Sequence, residues 1–151
     1  QRPAHPAPAQ GPMAAAYASV LDVPEGRCPG VVEHDPSGRA KCRSCNGGIL
    51  QGDVRVKAVS GGGRYGLQYE FRHLRLRCHK AKKLVRVSSA TMRGYDTLSA
   101  DGQREADAWI AENNEWVLKQ LNLKAATKAR KEAKAEAAKE AKRAKKAAQE
   151  L

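Results

Sequence analysis

The sequence predicts a small α+β domain, a β-hairpin plus helices, with a C-terminal Ala/Lys-rich helix and a disordered N-terminal arm. Three observations predict it. Val54, Val56 and Ala58 alternate with Arg55 and Lys57, and Leu67, Tyr69 and Phe71 alternate in turn, the two-residue period of paired strands. Cys42 and Cys45 are followed by a distant His73 and Cys78, a set of residue types that can close around one ion. From Lys124 to Leu151 the chain is almost wholly Ala, Lys, Arg and Glu, strong helix formers without a large apolar stripe.

Taken in order, residues 1–27 read as the arm. Gln1 to Pro12 is rich in Pro and Ala and lacks apolar periodicity. Ala14 to Leu21 has the composition of a short helix, which Pro24, Gly26, Pro29 and Gly30 keep from continuing. Residues 28–98 form the central module. Asp35-Pro36-Ser37-Gly38 reads as a turn. Gly47-Gly48 lets the backbone curl back over the cysteines, because glycine accepts positive φ. Ser60-Gly61-Gly62-Gly63 reads as the hairpin tip, and the return strand aims His73 back toward the cysteine turn. The period then changes: Leu74, Cys78, Ala81 and Val85 recur at helical spacing, which predicts a short helix just after His73 with Cys78 on its inward face.

Residues 99–123 begin with Ser99 as N-cap and Asp101 in the first turn, complementing the helix dipole. Ala106, Trp109, Ile110, Trp116, Val117 and Leu121 form a broad apolar face. This face is expected to pack on the module, with Leu84, Val85 and Val87 as nearest apolar receivers, or to dock a protein partner through Trp109 and Trp116. Residues 124–151 follow as a basic helical tail.

A Cys-x-x-Cys pair has other uses. A redox pair would sit between a strand and a helix, whereas Arg, Lys and Gly surround this one. A disulfide would suit a secreted chain, but nothing resembles a cleaved secretory signal, and closely spaced pairs are poor staples. The reading preferred is a structural Zn2+ held by Cys42, Cys45, His73 and Cys78, with Cys28 and His79 as spare ligands. Only 5% of residues are aromatic and 29% are charged, so an unaided core is small and a metal would supply stability.

Lys and Arg number 28 against 16 acids, a net +12. From Asp35 to Arg86 there are thirteen bases and three acids. A surplus so concentrated points to a polyanionic partner, DNA or structured RNA. Lys41, Arg43, Arg75 and Arg77 are phosphate-contact candidates from charge and position. Tyr65 either stacks on an exposed base or closes the hairpin core, and Leu67 is expected to close it.

Ser37-Gly38-Arg39-Ala40-Lys41-Cys42-Arg43-Ser44-Cys45, the distance from Cys45 to His73, and Gly94-Tyr95-Asp96-Thr97-Leu98-Ser99 followed by Asp101 and Gln103 resemble the poly(ADP-ribose) polymerase type of zinc finger. That finger is also found in a DNA ligase. The resemblance covers about Val31 to Glu112 and implies a zinc-bound module that recognises broken or distorted DNA. It also implies that Arg39 and Arg55 touch the DNA backbone. Four residues separate His73 from Cys78 where the family has two, and Phe71-Arg72 stands where the family has Trp-Tyr.

The chain contains no nucleotide-binding Gly-rich loop, no nucleophile elbow and no His-Glu-x-x-His pattern, so it is read as a binding module and not an enzyme. No apolar run approaches membrane-spanning length. Two functional classes are expected to compete: a DNA-binding module placed in the nucleus, and an RNA-binding structural subunit of a large assembly, such as an organelle's ribonucleoprotein.

Overall fold

The computed structural model describes residues 17–80 and 83–151. It is a small α+β fold: a three-stranded antiparallel sheet in the order β1-β2-β3 against one long helix. Strand β1 is Val31–His34, β2 is Val54–Gly63, β3 is Gly66–His73, and helix α1 is Ala100–Gln149. Within β2, Val54 and Val56 point to one face and join Val32, Cys28, Leu74, Val87, Met92 and Leu98 in the main core. Ala106 and Trp109 of α1 complete that core, so the helix closes the sheet's apolar face. A smaller cluster of Cys42, Ile49 and Cys78, with Ala40 and Phe71 packed on it, lies apart.

The helix starts as its sequence dictates. Ser99 is extended and its side chain accepts from the Gly102 N–H, satisfying one of the orphan donors of the first turn. Just before it, the Tyr95–Thr97 3-10 turn is entered through Gly94 at φ +88°. A Cβ at Gly94 would stand 2.2 Å from the Val32 carbonyl oxygen, so both conformation and space call for glycine. α1 then runs 50 residues without interruption, across the composition change at residue 124. Val87 receives it as expected: the Asn114 side chain accepts from the Val87 N–H and donates to its carbonyl, each at 2.8 Å.

Four expectations change. Of the residues counted with the arm, 1–16 lie outside the described residues, but Tyr17 onward packs on the body. The Tyr17 N–H donates to the Asn122 side chain at 3.0 Å, and Gly26 and Arg86 bond backbone to backbone. The short helix over Ala14 to Leu21 reduces, where described, to one 3-10 turn at Val20–Asp22 capped by Ser19. Among the described residues no helix starts just after His73 either. The chain makes a single turn in which Cys78 and His79 both donate to the Arg75 carbonyl, and Ala81, with Lys82, lies outside the described residues. The glycines of the hairpin pair within β2 and β3, Gly63 opposite Gly66, so the tip is Arg64-Tyr65.

That last shift exposes the tip's side chains. Leu67, expected in a hairpin core, is 65% exposed because the hairpin projects past the described body. Trp109, expected either to pack on the module or to dock a partner, does the first: it is 2% exposed in the main core. Its indole N–H donates to the His79 carbonyl at 3.1 Å and its ring stacks on His79. Trp116 stays half-buried under the Lys80 ammonium, 4.9 Å from the ring centre.

Candidate metal centre

The cysteine turn is held by its own backbone. The Asn46 N–H donates to the Cys42 carbonyl, the Cys42 N–H to the Gly47 carbonyl, and the Ile49 N–H to the Ala40 carbonyl, all within 2.9 Å. The positive φ falls on Asn46 at 57°, not on the two glycines after it; asparagine tolerates the left-handed region. Gly47 serves by its size, because a Cβ there would lie 3.2 Å from the Cys45 sulfur. The Arg43 N–H donates to the Phe71 carbonyl at 2.8 Å, stitching the turn to the outer edge of β3.

His73 ends β3, and the turn after it brings Cys78 back, where the Cys78 carbonyl accepts from the Ser44 hydroxyl at 2.6 Å. The ligand atoms of Cys42, Cys45, His73 and Cys78 all lie within 4.8 Å of one another. His73 Nδ1 is 3.4 Å from the Cys45 sulfur and 3.8 Å from that of Cys78. With ordinary zinc bond lengths, a tetrahedron has sulfur–nitrogen edges of about 3.6 Å. The spacing therefore suits one ion.

The imidazole is set for the task by its far nitrogen, which lies 3.1 Å from the Gly48 carbonyl. A proton on Nε2 donates there and leaves Nδ1 with its lone pair toward the sulfurs. Burial opposes ionisation of Cys42, but the backbone N–H groups of Cys45, His73 and Ser44 outweigh it and bring its thiol down to about 6. Burial, with the Cys42 and Cys45 sulfurs beside it, pushes Cys78 up to about 11. Cys78 thus resists ionising beside the other two sulfurs, and a cation among them would remove that conflict.

Cys28 and His79, the spare candidates, are absent from this group. Their side chains meet 3.6 Å apart inside the main core, and burial pushes the Cys28 thiol up to about 12.

The basic candidates divide. Arg39, Lys41, Arg43, Arg75 and Arg77 are exposed, each within three residues of a ligand. Lys41 and Arg43 line an open groove with Asn46, Gln68 and Tyr69. Arg55 is a correction: expected on an exposed basic face, it is 7% exposed. Its guanidinium donates to Glu33 at 2.6 and 2.9 Å and to Asp35 at 2.5 Å, and sits 4.0 Å from the centre of the Phe71 ring. The cysteine turn covers the face of β2 that alternation alone leaves open. Tyr65 is 87% exposed at the hairpin tip, about 26 Å from His73 at the rise of an extended strand, so it is not brought to the metal end.

Sequence reasoning missed the acids of this region. Glu33 lies directly opposite Arg55 in the β1–β2 register, and Glu70 pairs with Arg43 and Arg72. Burial works against the Asp35 charge, but the N–H groups of Gly38 and Ser37 and the Arg55 guanidinium hold its carboxyl below the usual range. Arg55→Gln is therefore expected to lower the urea midpoint more than Arg39→Gln does, because it strands buried Asp35. Arg39→Gln, at an exposed position, is expected to leave the fold alone. Paired urea titrations check both. No helix among the described residues is long and apolar enough to cross a membrane. No protein-family model matches the chain, and no curated protein matches it.

Proposed function

We propose that this protein is a zinc-dependent nucleic-acid-binding module that recognises broken or distorted DNA. The observation that carries the reading is that five exposed bases, Arg39, Lys41, Arg43, Arg75 and Arg77, each stand within three residues in sequence of one of four residues placed to hold one metal ion. Three thiolates and an imidazole are a donor set for structural zinc, and such an ion closes a small fold without doing chemistry on a substrate. Cys42, Cys45, His73 and Cys78 would hold it; the bases beside them would meet phosphates and position the finger without reading sequence. The resemblance to the poly(ADP-ribose) polymerase type of finger supports DNA over RNA and a nuclear setting. Tyr65, exposed at the tip, is suited to stacking on an uncovered base.

A second reading is favoured by the last half of α1, an exposed basic helix outside the resemblance. In it the chain is an RNA-binding subunit of a large assembly in an organelle, and the finger is a scaffold.

A side-by-side titration of the zinc-loaded protein with nicked duplex, intact duplex and structured RNA at one salt concentration separates the two. Preference for the nicked duplex is expected. Equal binding to both duplexes with tighter binding to RNA would replace the first reading with the second.

A further inference from the structure

The buried residues of α1, Gly102, Ala106, Trp109, Asn113 and Val117, all lie in its first part. Every residue from 130 to 151 is exposed. At 3.6 residues per turn, Glu132, Glu136 and Glu140 share one narrow stripe. Lys124, Arg130, Lys131, Lys134, Lys142 and Lys145 fall on the half-cylinder opposite, where no carboxylate of residues 124–149 falls. Among the described residues, the ion pairs of this segment are Lys128 with Glu132 and Lys146 with Glu150, both at the border between the faces. A helix that is merely solvated interleaves its charges so that each has an i,i+4 partner. Here Lys128, Lys139, Arg143 and Lys146 share the glutamates' side, but the other six bases stand apart from every acid of the segment, and their face extends about 32 Å from Lys124 to Lys145.

The chemistry of the face selects its partner. An interfacial membrane helix needs large apolar residues opposite its lysines, and this one has Ala and Glu. A coiled-coil partner needs large residues at heptad spacing, which are missing too. The major groove of A-form RNA is too narrow for a helix, whereas that of B-form DNA, about 12 Å wide, admits one. Alanines between the lysines keep the rod slim.

We infer that this basic face lies along the major groove of intact duplex DNA beside the lesion, gripping phosphates without reading sequence. The inference rests on the DNA reading above and assigns a second contact surface to it. The finger takes the break and the rod takes the flank.

The test uses the full-length, zinc-loaded protein on nicked duplexes whose flank is about 5 or about 20 base pairs, shorter or longer than the roughly 32 Å basic face. The wild type is expected to bind the long-flank duplex roughly tenfold or more tightly. Replacing the six arc residues with Gln, which keeps helix propensity, is expected to abolish that gain and to make the salt slope shallower by about five units. Lys128, Lys139, Arg143 and Lys146 changed together to Gln serve as the control, and the gain should survive. Circular dichroism verifies that both variants stay helical. Equal loss in the control, or equal gain from an A-form RNA flank, or binding of the rod to anionic vesicles in preference to duplex, would overturn the inference. Preference for a nick is read on the short-flank duplexes. Its absence with the flank gain intact removes the finger's role and leaves the rod's.

Discussion

Chelating the zinc proposed for Cys42, Cys45, His73 and Cys78 is expected to melt the sheet. Structural zinc contributes on the order of 10 kcal/mol or more to folding, as much as the whole stability of a typical domain. The second cluster, Cys42, Ile49 and Cys78, is small, with Ala40 and Phe71 its partly buried neighbours, so an ion held there would carry much of its stability. Excess chelator should therefore abolish the cooperative urea transition while part of the helical signal persists in the Ala-rich half of α1. Cys42→Ser and Cys78→Ser are expected to do the same, with zinc lost in metal analysis, and Cys28→Ala to keep full stoichiometry because its sulfur belongs to the main core. Acid should act in the same direction. Burial and the neighbouring sulfurs push Cys78 up to about 11, so at neutral pH it must release a proton to bind the ion. Affinity is thus expected to fall as pH falls. Stoichiometric zinc and a cooperative transition in both Ser variants would overturn the ligand assignment.

Trp109→Ala is expected to cost about 3–5 kcal/mol, the range for removing a fully buried aromatic side chain. The loss combines the cavity left in the main core, the stacking on His79 and the hydrogen bond to the His79 carbonyl. Trp116→Ala should cost far less, since its half-buried ring has an exposed lysine over its face. Urea midpoints with zinc present check the pair. Similar small shifts for both would mean that α1 is not part of the core.

Sequence spacing was enough to bring Cys42, Cys45, His73 and Cys78 forward, because ligands close to one ion must be separated by chain of suitable length and turn. The alternation of β2 and β3 and the Ser99 cap were legible for the same reason: each is a local rule. The four residues between His73 and Cys78 were read as the start of a helix, and there the periodicity misled. A single turn through Leu74–Cys78 satisfies the same spacing once the Arg75 carbonyl and the Ser44 hydroxyl fix its end. Strand β1, only Val31–His34, was too short to announce itself. Arg55 failed for a different reason. Alternation tells which side chains share a face but not whether another part of the chain covers that face. Glu33 and Asp35 became its partners only through cross-strand register and a turn. Exposure of the hairpin tip was hidden likewise, since it depends on where the body stops.

The unbroken run of α1 also makes it a lever. From Asn122, which bonds Tyr17 beyond the buried Val117, to Gln149 the helix advances about 40 Å. A tilt of about five degrees at that point would sweep the far end through about 3.5 Å. The seating of the helix on the body, from Trp109 to Asn122, is thereby magnified into the position of the whole basic end.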